Sequence, residues 1–228
     1  ISETVPELTS EEEASRARDD GTRERRVEEK GNSELAYSTL NTGEDWICRE
    51  LTACKEKIED DFDNYRFSEA VETLYNTIWD KYADWFIESQ KIYKNIPLLQ
   101  ITLEIILKML HPFAPFVTEA IWQSLSWTEG LLIVAKWPPR LKFDPISAAK
   151  FDALIGIVSE VRATSQSLSM ASKGKKYTLL YDNDAIVDDN QLLVAKLAGV
   201  PSVISCEGQP RGLRLALANH ELYLDVPA

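Results

Sequence analysis

The segment SEAVETLYNTIWDKYADWFIESQK, residues 68–91, carries apolar side chains three or four residues apart along its whole length. This is the period of an amphipathic α-helix. The apolar positions are Val71, Leu74, Tyr75, Ile78, Trp79, Tyr82, Trp85 and Phe86. Because the stripe is wider than one helix–helix contact, we expect a central helix with two neighbours. It should begin near Ser68, which can cap it, and end near Tyr93. We expect its aromatic residues to be packed inside.

The flanking segments predict further helices. GEDWICRELTACKEKIEDDF, residues 43–62, repeats its apolar residues on one face. NIPLLQITLEIILKMLHPF, residues 95–113, is apolar nearly all round, with Pro97 near its start and Pro112 ending it. APFVTEAIWQSL, residues 114–125, supplies a shorter helix. Short connections between such helices are typical of an antiparallel bundle.

The pattern changes after Gly130. LLIVAKWPP predicts a brief extended stretch, and ISAAKFDALIGIVSEVRATSQSL predicts a helix. The inward positions of this helix are Phe151, Leu154, Ile155, Val158, Val161 and Ala163. Apolar and polar residues alternate, as in β-strands, in the later segments YTLLYDN, PSVISCEG, LRLALAN and ELYLDV. We expect a helix that ends at Gly199 between the first two strands and a hairpin turn around Asn219 and His220 between the last two.

The predicted fold is mainly α: an antiparallel helical bundle is followed by a small α+β subdomain with a mainly antiparallel sheet. We assign residues 1–43 to a polar, weakly ordered segment, 44–129 to the bundle and 130–228 to the α+β subdomain.

Charge and composition exclude several classes of protein. The 228 residues carry a formal net charge of −12. Residues 1–80 hold 22 acidic and 10 basic side chains, so residues 81–228 have a net charge of zero. The net charge of the chain therefore does not exclude an anionic partner for residues 81–228. The three cysteines have no metal-ligand spacing. Without an 18-residue apolar run or a basic leader, we expect a soluble, cytoplasmic chain that contacts no membrane.

Motifs for catalysis are missing, so we predict no catalytic residues and no metal ligands. We interpret Asp60, Asp61 and Asp63 as a solvated face or turn and His111 as a helix-stop residue. MASKGKK, residues 170–176, is similar to the phosphate-binding KMSKS loop of class I aminoacyl-tRNA synthetases. It lacks the leading lysine and a HIGH partner, so we interpret it as a basic turn before a strand.

The order of several blocks carries a family resemblance. EDWICREL, NYRFSEAVETLYNTIWDKYADWFIESQK, LHPFAPFVTEAIWQSL and LLIVAKWP follow one another as in the anticodon-binding domain of class I aminoacyl-tRNA synthetases for branched aliphatic amino acids. WDKYADWFIESQK resembles the valyl enzymes more than the isoleucyl or leucyl ones. The tail from EVRATSQSL to LRLALANHELYLDV is similar to the small domain that follows the bundle in valyl enzymes. The resemblance covers roughly residues 44–228.

The resemblance implies a role in binding tRNA(Val), with chemistry done elsewhere. Counterparts of the catalytic, editing and coiled-coil domains are missing, so this chain alone is expected to be inactive and monomeric. The full-length enzyme would use ATP and Mg²⁺, and this part would hold no cofactor. The first family helix, of N-A-A-R-F type, is not reproduced by SELAYSTL, residues 33–40.

The resemblance also implies the anticodon-contacting residues Ile87, Glu88, Lys91, Lys94 and Arg66. Ile87 would stack on a splayed loop base, and Glu88 would accept a hydrogen bond from an exocyclic amine. Lys91 and Lys94 would neutralise phosphates, and Arg66 at the other helix end would stack or pair. Two alternatives remain: the same module of an isoleucyl or leucyl enzyme, and an acidic helical protein-interaction domain.

Overall fold

The computed structural model describes residues 40–171, 177–208, 212–217 and 220–225. Residues 1–39 of the predicted weakly ordered segment lie outside the described residues. So do residues 172–176 of the predicted basic turn and Asn219 of the predicted hairpin turn.

The first helix, α1 (Thr42–Asp63), begins with a reciprocal cap. The side chain of Asn41 accepts from the backbone N–H of Glu44 at 3.0 Å, and the Glu44 carboxylate accepts from the N–H of Asn41 at 2.9 Å. Ile47, Leu51 and Ile58 are buried on one face, which confirms the helix predicted from their spacing.

Residues 67–90, which include nearly all of SEAVETLYNTIWDKYADWFIESQK, form one continuous helical rod. It consists of α2 (Phe67–Asn76), a π-helix (Thr77–Ile87) and α3 (Glu88–Gln90). The hydroxyl of Thr77 donates to the carbonyl of Thr73 at 2.8 Å where the π-helix begins. Such a bond competes with the backbone ladder and favours a local change of helix type. Arg66 occupies the N-cap position without a side-chain cap bond, so the predicted Ser68 cap is wrong.

The prediction that the aromatic side chains of the rod are packed inside is wrong for two of them. Leu74 and Phe86 are buried, but Tyr75 is 60% exposed and Trp79 61% exposed. Their rings stack on each other, with centroids 6.2 Å apart and planes 8° apart. Helix α1 packs along the buried side. Within the described part of the chain, no helix covers the outer side, because that face keeps a row of exposed apolar side chains.

Helices α4 (Ile96–Leu110) and α5 (Pro115–Ser124) complete the bundle as predicted. Leu107, Trp122 and Leu132 form a small buried cluster between them. Residues 132–134 form a 3₁₀ turn (Leu132–Val134) that interrupts the predicted extended stretch, and Leu131 and Ala135 on either side of it are extended. The Glu119 carboxylate accepts from the N–H of Leu132 at 3.0 Å and holds this turn against α5.

The second half begins with α6 (Pro145–Ala171), which packs along α1. Phe151 lies 5.1 Å from Trp46 of α1, measured between ring centroids. Ala163 is exposed, contrary to prediction, and Ile157 takes a buried place instead, because the inward stripe rotates with the helical period.

A small mixed sheet closes the fold. Its strands are β1 (Thr178–Tyr181), β2 (Val203–Ser205), β3 (Leu213–Arg214) and β4 (Leu222–Asp225). Their spatial order is β2-β1-β4-β3, with β1–β2 parallel and the other two pairs antiparallel. Helices α7 (Ala185–Asp188) and α8 (Gln191–Ala198) connect β1 to β2. Gly199 ends α8 with φ of 69°, as predicted for a glycine stop. The predicted fold class is confirmed.

Candidate nucleic-acid interface

The C-terminal end of the rod borders an open cavity of about 410 Å³, a volume in the range of ligand pockets. Ile87, Gln90 and Lys91 lie on one face at the end of the rod at helical spacing, and Lys94 follows in the connection to α4. Leu99 of α4 closes the opposite wall. We call this cavity the rod-end pocket. Two apolar walls and two ammonium groups make it suited to a flat, partly apolar, anionic ligand.

Hydrogen bonds fix the floor of the rod-end pocket. The Oε1 of Gln90 accepts from the backbone N–H of Asn95 at 2.8 Å, and the Oδ1 of Asn95 accepts from the N–H of Leu98 at 3.1 Å. The Nε2 of Gln90 donates to the Glu44 carboxylate at 3.4 Å. Gln90 therefore ties the rod to the starts of both α4 and α1.

The two lysines of the pocket differ in their partners. The ammonium of Lys91 pairs with the carboxylate of Glu88 at 2.5 Å, and their side chains are 57% and 41% exposed. Lys94 is exposed and has no ion pair within the described part of the chain. Lys94 is thus available to an anion without breaking an existing contact, whereas one of the three N–H donors of Lys91 is already engaged by Glu88.

Glu88 does not line the rod-end pocket and lies at its rim through the pair with Lys91. Its position follows from helix geometry, because a residue directly after Ile87 points about 100° away from it. One carboxylate oxygen of Glu88 is engaged by Lys91.

Arg66 lies at the opposite end of the rod, where it is the N-cap residue of α2. Its Nε donates to Asp61 at 2.9 Å, and its Nη2 pairs with Asp60. These carboxylates, Asp61 first, raise the pKa of the guanidinium. Arg66 is therefore not brought together with the other four predicted residues.

Asp61 itself corrects the prediction of a solvated turn. It belongs to the last turn of α1, and its side chain is fully buried. A hydrogen bond from Lys57 and a second from Arg66 lower the pKa of its carboxyl. Two cationic partners compensate the burial of this charge, which a solvated turn residue would not need.

Two residues that line the pocket, Gln90 and Leu99, were not predicted from the sequence. Gln90 was recognisable, since it stands three residues after Ile87 on the same helix face. Leu99 carries no such signal, because its place depends on how α4 packs beside the rod.

Among the described residues there is no group of three or more His, Cys, Asp or Glu side chains that could bind a metal ion. No helix in the same part of the chain is both long and apolar enough to cross a bilayer.

Comparison with known proteins identifies the class. Residues 44–180 match the family described as the anticodon-binding domain of tRNA ligase, and the chain belongs to this family. Valine–tRNA ligases are among its relatives. The enzyme of Mycolicibacterium paratuberculosis is 33% identical over 60% of this chain and 16% of its own length. That of Thermotoga maritima is 29% identical over 85% of this chain and 24% of its own length. The chain thus spans a quarter or less of these relatives.

Proposed function

We propose that the rod-end pocket binds the anticodon loop of a valine tRNA. The observation that carries this proposal is the convergence of Ile87, Lys91 and Lys94 on one cavity in a member of the anticodon-binding family. Loop bases are unpaired and can be turned outward, which duplex bases cannot do without a cost. The valine identity rests on the valine–tRNA ligases among the relatives.

The pocket offers complementary chemistry to such a base. Ile87 and Leu99 supply apolar walls on which a base face can pack. The ammonium groups of Lys94 and Lys91 neutralise flanking phosphates, Lys91 with the N–H groups that Glu88 does not engage. The carboxylate oxygen of Glu88 that Lys91 does not engage accepts from an exocyclic amine of a base at the rim.

Valine anticodons share their middle and third bases, A and C, which both carry an exocyclic amine. At the ring position of that amine, G and U carry a carbonyl oxygen. A carboxylate acceptor that faces this position therefore suits all valine anticodons and makes an unfavourable contact there with G or U. Arg66 stays a prediction: its Nε and Nη2 are bound to Asp61 and Asp60, so a contact with RNA would use the remaining N–H groups or the face of the guanidinium.

In this proposal the chain works as part of a valine–tRNA ligase, in which a separate domain uses ATP and Mg²⁺ to activate valine. The chain alone binds tRNA(Val) in the cytoplasm as a monomer and catalyses nothing.

Titration with a valine tRNA tests the proposal, in parallel with the same tRNA carrying an altered middle anticodon base. We expect tighter binding of the valine tRNA and an affinity that falls steeply as salt is raised. Equal binding of the two tRNAs would contradict the proposal that the pocket recognises an anticodon base. An affinity that does not change with salt would favour the protein-interaction alternative. Exchanging the anticodon between valine, isoleucine and leucine tRNAs shows which of the three amino-acid identities the chain recognises.

A further inference from the structure

Gln90 is a polar side chain at an otherwise apolar and cationic site. It lines the rod-end pocket, yet only 4% of its surface is exposed. A polar group buried this deeply is positioned by its hydrogen bonds rather than by solvent. Its orientation therefore decides which chemical group faces a ligand in the pocket.

That orientation follows from one contact. The backbone N–H of Asn95 can only donate, so the amide atom 2.8 Å away from it must be the oxygen of Gln90. The NH₂ group is thereby turned to the other side. It carries two hydrogens, and the Glu44 carboxylate takes one of them through a long contact of 3.4 Å. Within the described residues the second hydrogen has no acceptor.

We propose that Gln90 is a specificity-determining residue that donates from Nε2 to a ring nitrogen of one anticodon base. This inference rests on the proposed function and adds a donor to it. A and C each present an acceptor nitrogen, N1 and N3, at the centre of the Watson–Crick edge. G and U present an N–H donor at the same place. A fixed donor bonds with the first pair of bases, and with the second pair it leaves two donors facing each other without an acceptor.

The roles of Glu88 and Gln90 are distinct in this scheme. The two residues stand two positions apart on the rod and so point to different sides. Gln90 reads the base that enters the rod-end pocket, while Glu88 reads at the rim. Gln90 also holds the start of α4, so a test has to separate base reading from simple support of the pocket.

Single-atom changes in the RNA make this separation with the unmodified 228-residue chain. Anticodon stem-loops of a valine tRNA are prepared with 1-deazaadenosine at the middle position or 3-deazacytidine at the third. Each change replaces one ring nitrogen by C–H. We expect one of the two to bind about three- to tenfold more weakly than the natural stem-loop, the size of one lost hydrogen bond. Equal binding of all three stem-loops would overturn the role of Gln90.

The Gln90→Leu variant then tests whether Gln90 is the donor whose hydrogen bond is lost with the deaza bases. A base-reading role predicts that the deaza penalty disappears in this variant, since the donor is gone from both binding reactions. A purely supporting role would lower the affinity for every stem-loop equally and leave the penalty unchanged, which would also overturn the proposal. Failure of the wild-type chain to distinguish a valine stem-loop from one with an altered middle base would instead refute the proposed function itself.

Discussion

At the scale of single residues, two aromatic side chains of the rod have opposite environments although they share one sequence pattern. Trp79 and Phe86 both stand on the apolar stripe, seven residues apart. Phe86 is fully buried, whereas Trp79 is mostly exposed and stacks on Tyr75. Periodicity shows that a residue faces away from the polar side of a helix, but not whether a neighbour covers it.

This contrast gives a direct stability prediction. Phe86→Ala should lower the free energy of unfolding by about 3–5 kcal/mol, because it leaves a cavity in a packed region. Trp79→Ala should cost less than about 1 kcal/mol, since little of its surface is removed from water. Urea unfolding of both variants measures the difference. A loss at Trp79 as large as that at Phe86 would show that the outer face of the rod is covered in solution.

A second residue-scale prediction concerns Lys94. Lys94→Ala should weaken RNA binding and reduce the slope of log affinity against log salt by about 0.7 to 1, the value of one phosphate contact. Lys142→Ala is the matched control, since it removes the same charge from an exposed loop position that does not line the pocket. Equal slopes for Lys94→Ala and the wild type would show that Lys94 contacts no phosphate of the RNA.

At the scale of elements, the sequence predicts most of the architecture and misses the contacts between its parts. The helices α1, α4, α5 and α8 and the strands were recognisable from local periodicity and from Pro97 and Gly199. The π-helix was not recognisable in this way. It depends on the hydrogen bond from the Thr77 hydroxyl and on the packing of α1 along the rod, and neither is visible in the local periodicity. Leu99 joined the pocket for the same nonlocal reason.

The contact between α1 and α6 carries a prediction of its own. Asp152 of α6 accepts from both terminal nitrogens of Arg49 of α1 at 2.7 Å and from the indole N–H of Trp46 at 2.9 Å. The hydrogen bond from Arg49 lowers the pKa of Asp152, with smaller help from Trp46. A carboxyl whose pKa is lower in the folded state stabilises the fold above its unfolded pKa of about 4 and loses this contribution as the pH falls.

Asp152→Asn should therefore cost about 1 kcal/mol or less at pH 7, because the Asp152 side chain is half exposed and solvent screens the pair. The cost should shrink as the pH falls below about 4. Urea unfolding at pH 7 and pH 3 measures it. Glu129→Gln changes the same charge at an exposed residue without an ion pair among the described residues and is the control. A cost for Asp152→Asn that does not depend on pH would contradict the assigned role of its ionised form.

At the scale of the whole molecule, one side chain connects the bundle to the α+β part. Arg162 of α6 donates from Nε to the carbonyl of Leu197 at 2.8 Å, and its guanidinium lies 5.1 Å from the centre of the Trp85 ring. It therefore joins α8 to the π-helix that leads into the rod-end pocket. The geometry of the pocket depends on this support as well as on local residues.

Arg162→Ala should destabilise the protein by about 1–2 kcal/mol through the lost hydrogen bond and the lost cation–π contact. Amide hydrogen exchange should become faster in α8 and the adjoining strand β2 and stay unchanged in α1. Arg162→Lys is the comparison, since it keeps the positive charge. Unchanged exchange in α8 of the alanine variant would show that the helix is held by other contacts.

Recognition of an anticodon loop at the rod-end pocket is tested most directly by NMR titration of the labelled chain with a valine anticodon stem-loop. The account predicts that the amide signals of Ile87, Gln90, Lys91, Lys94 and Leu99 shift together and saturate at one equivalent of RNA. Shifts confined to the exposed face around Tyr75 and Trp79, or to the strands, with the pocket signals unmoved, would contradict it.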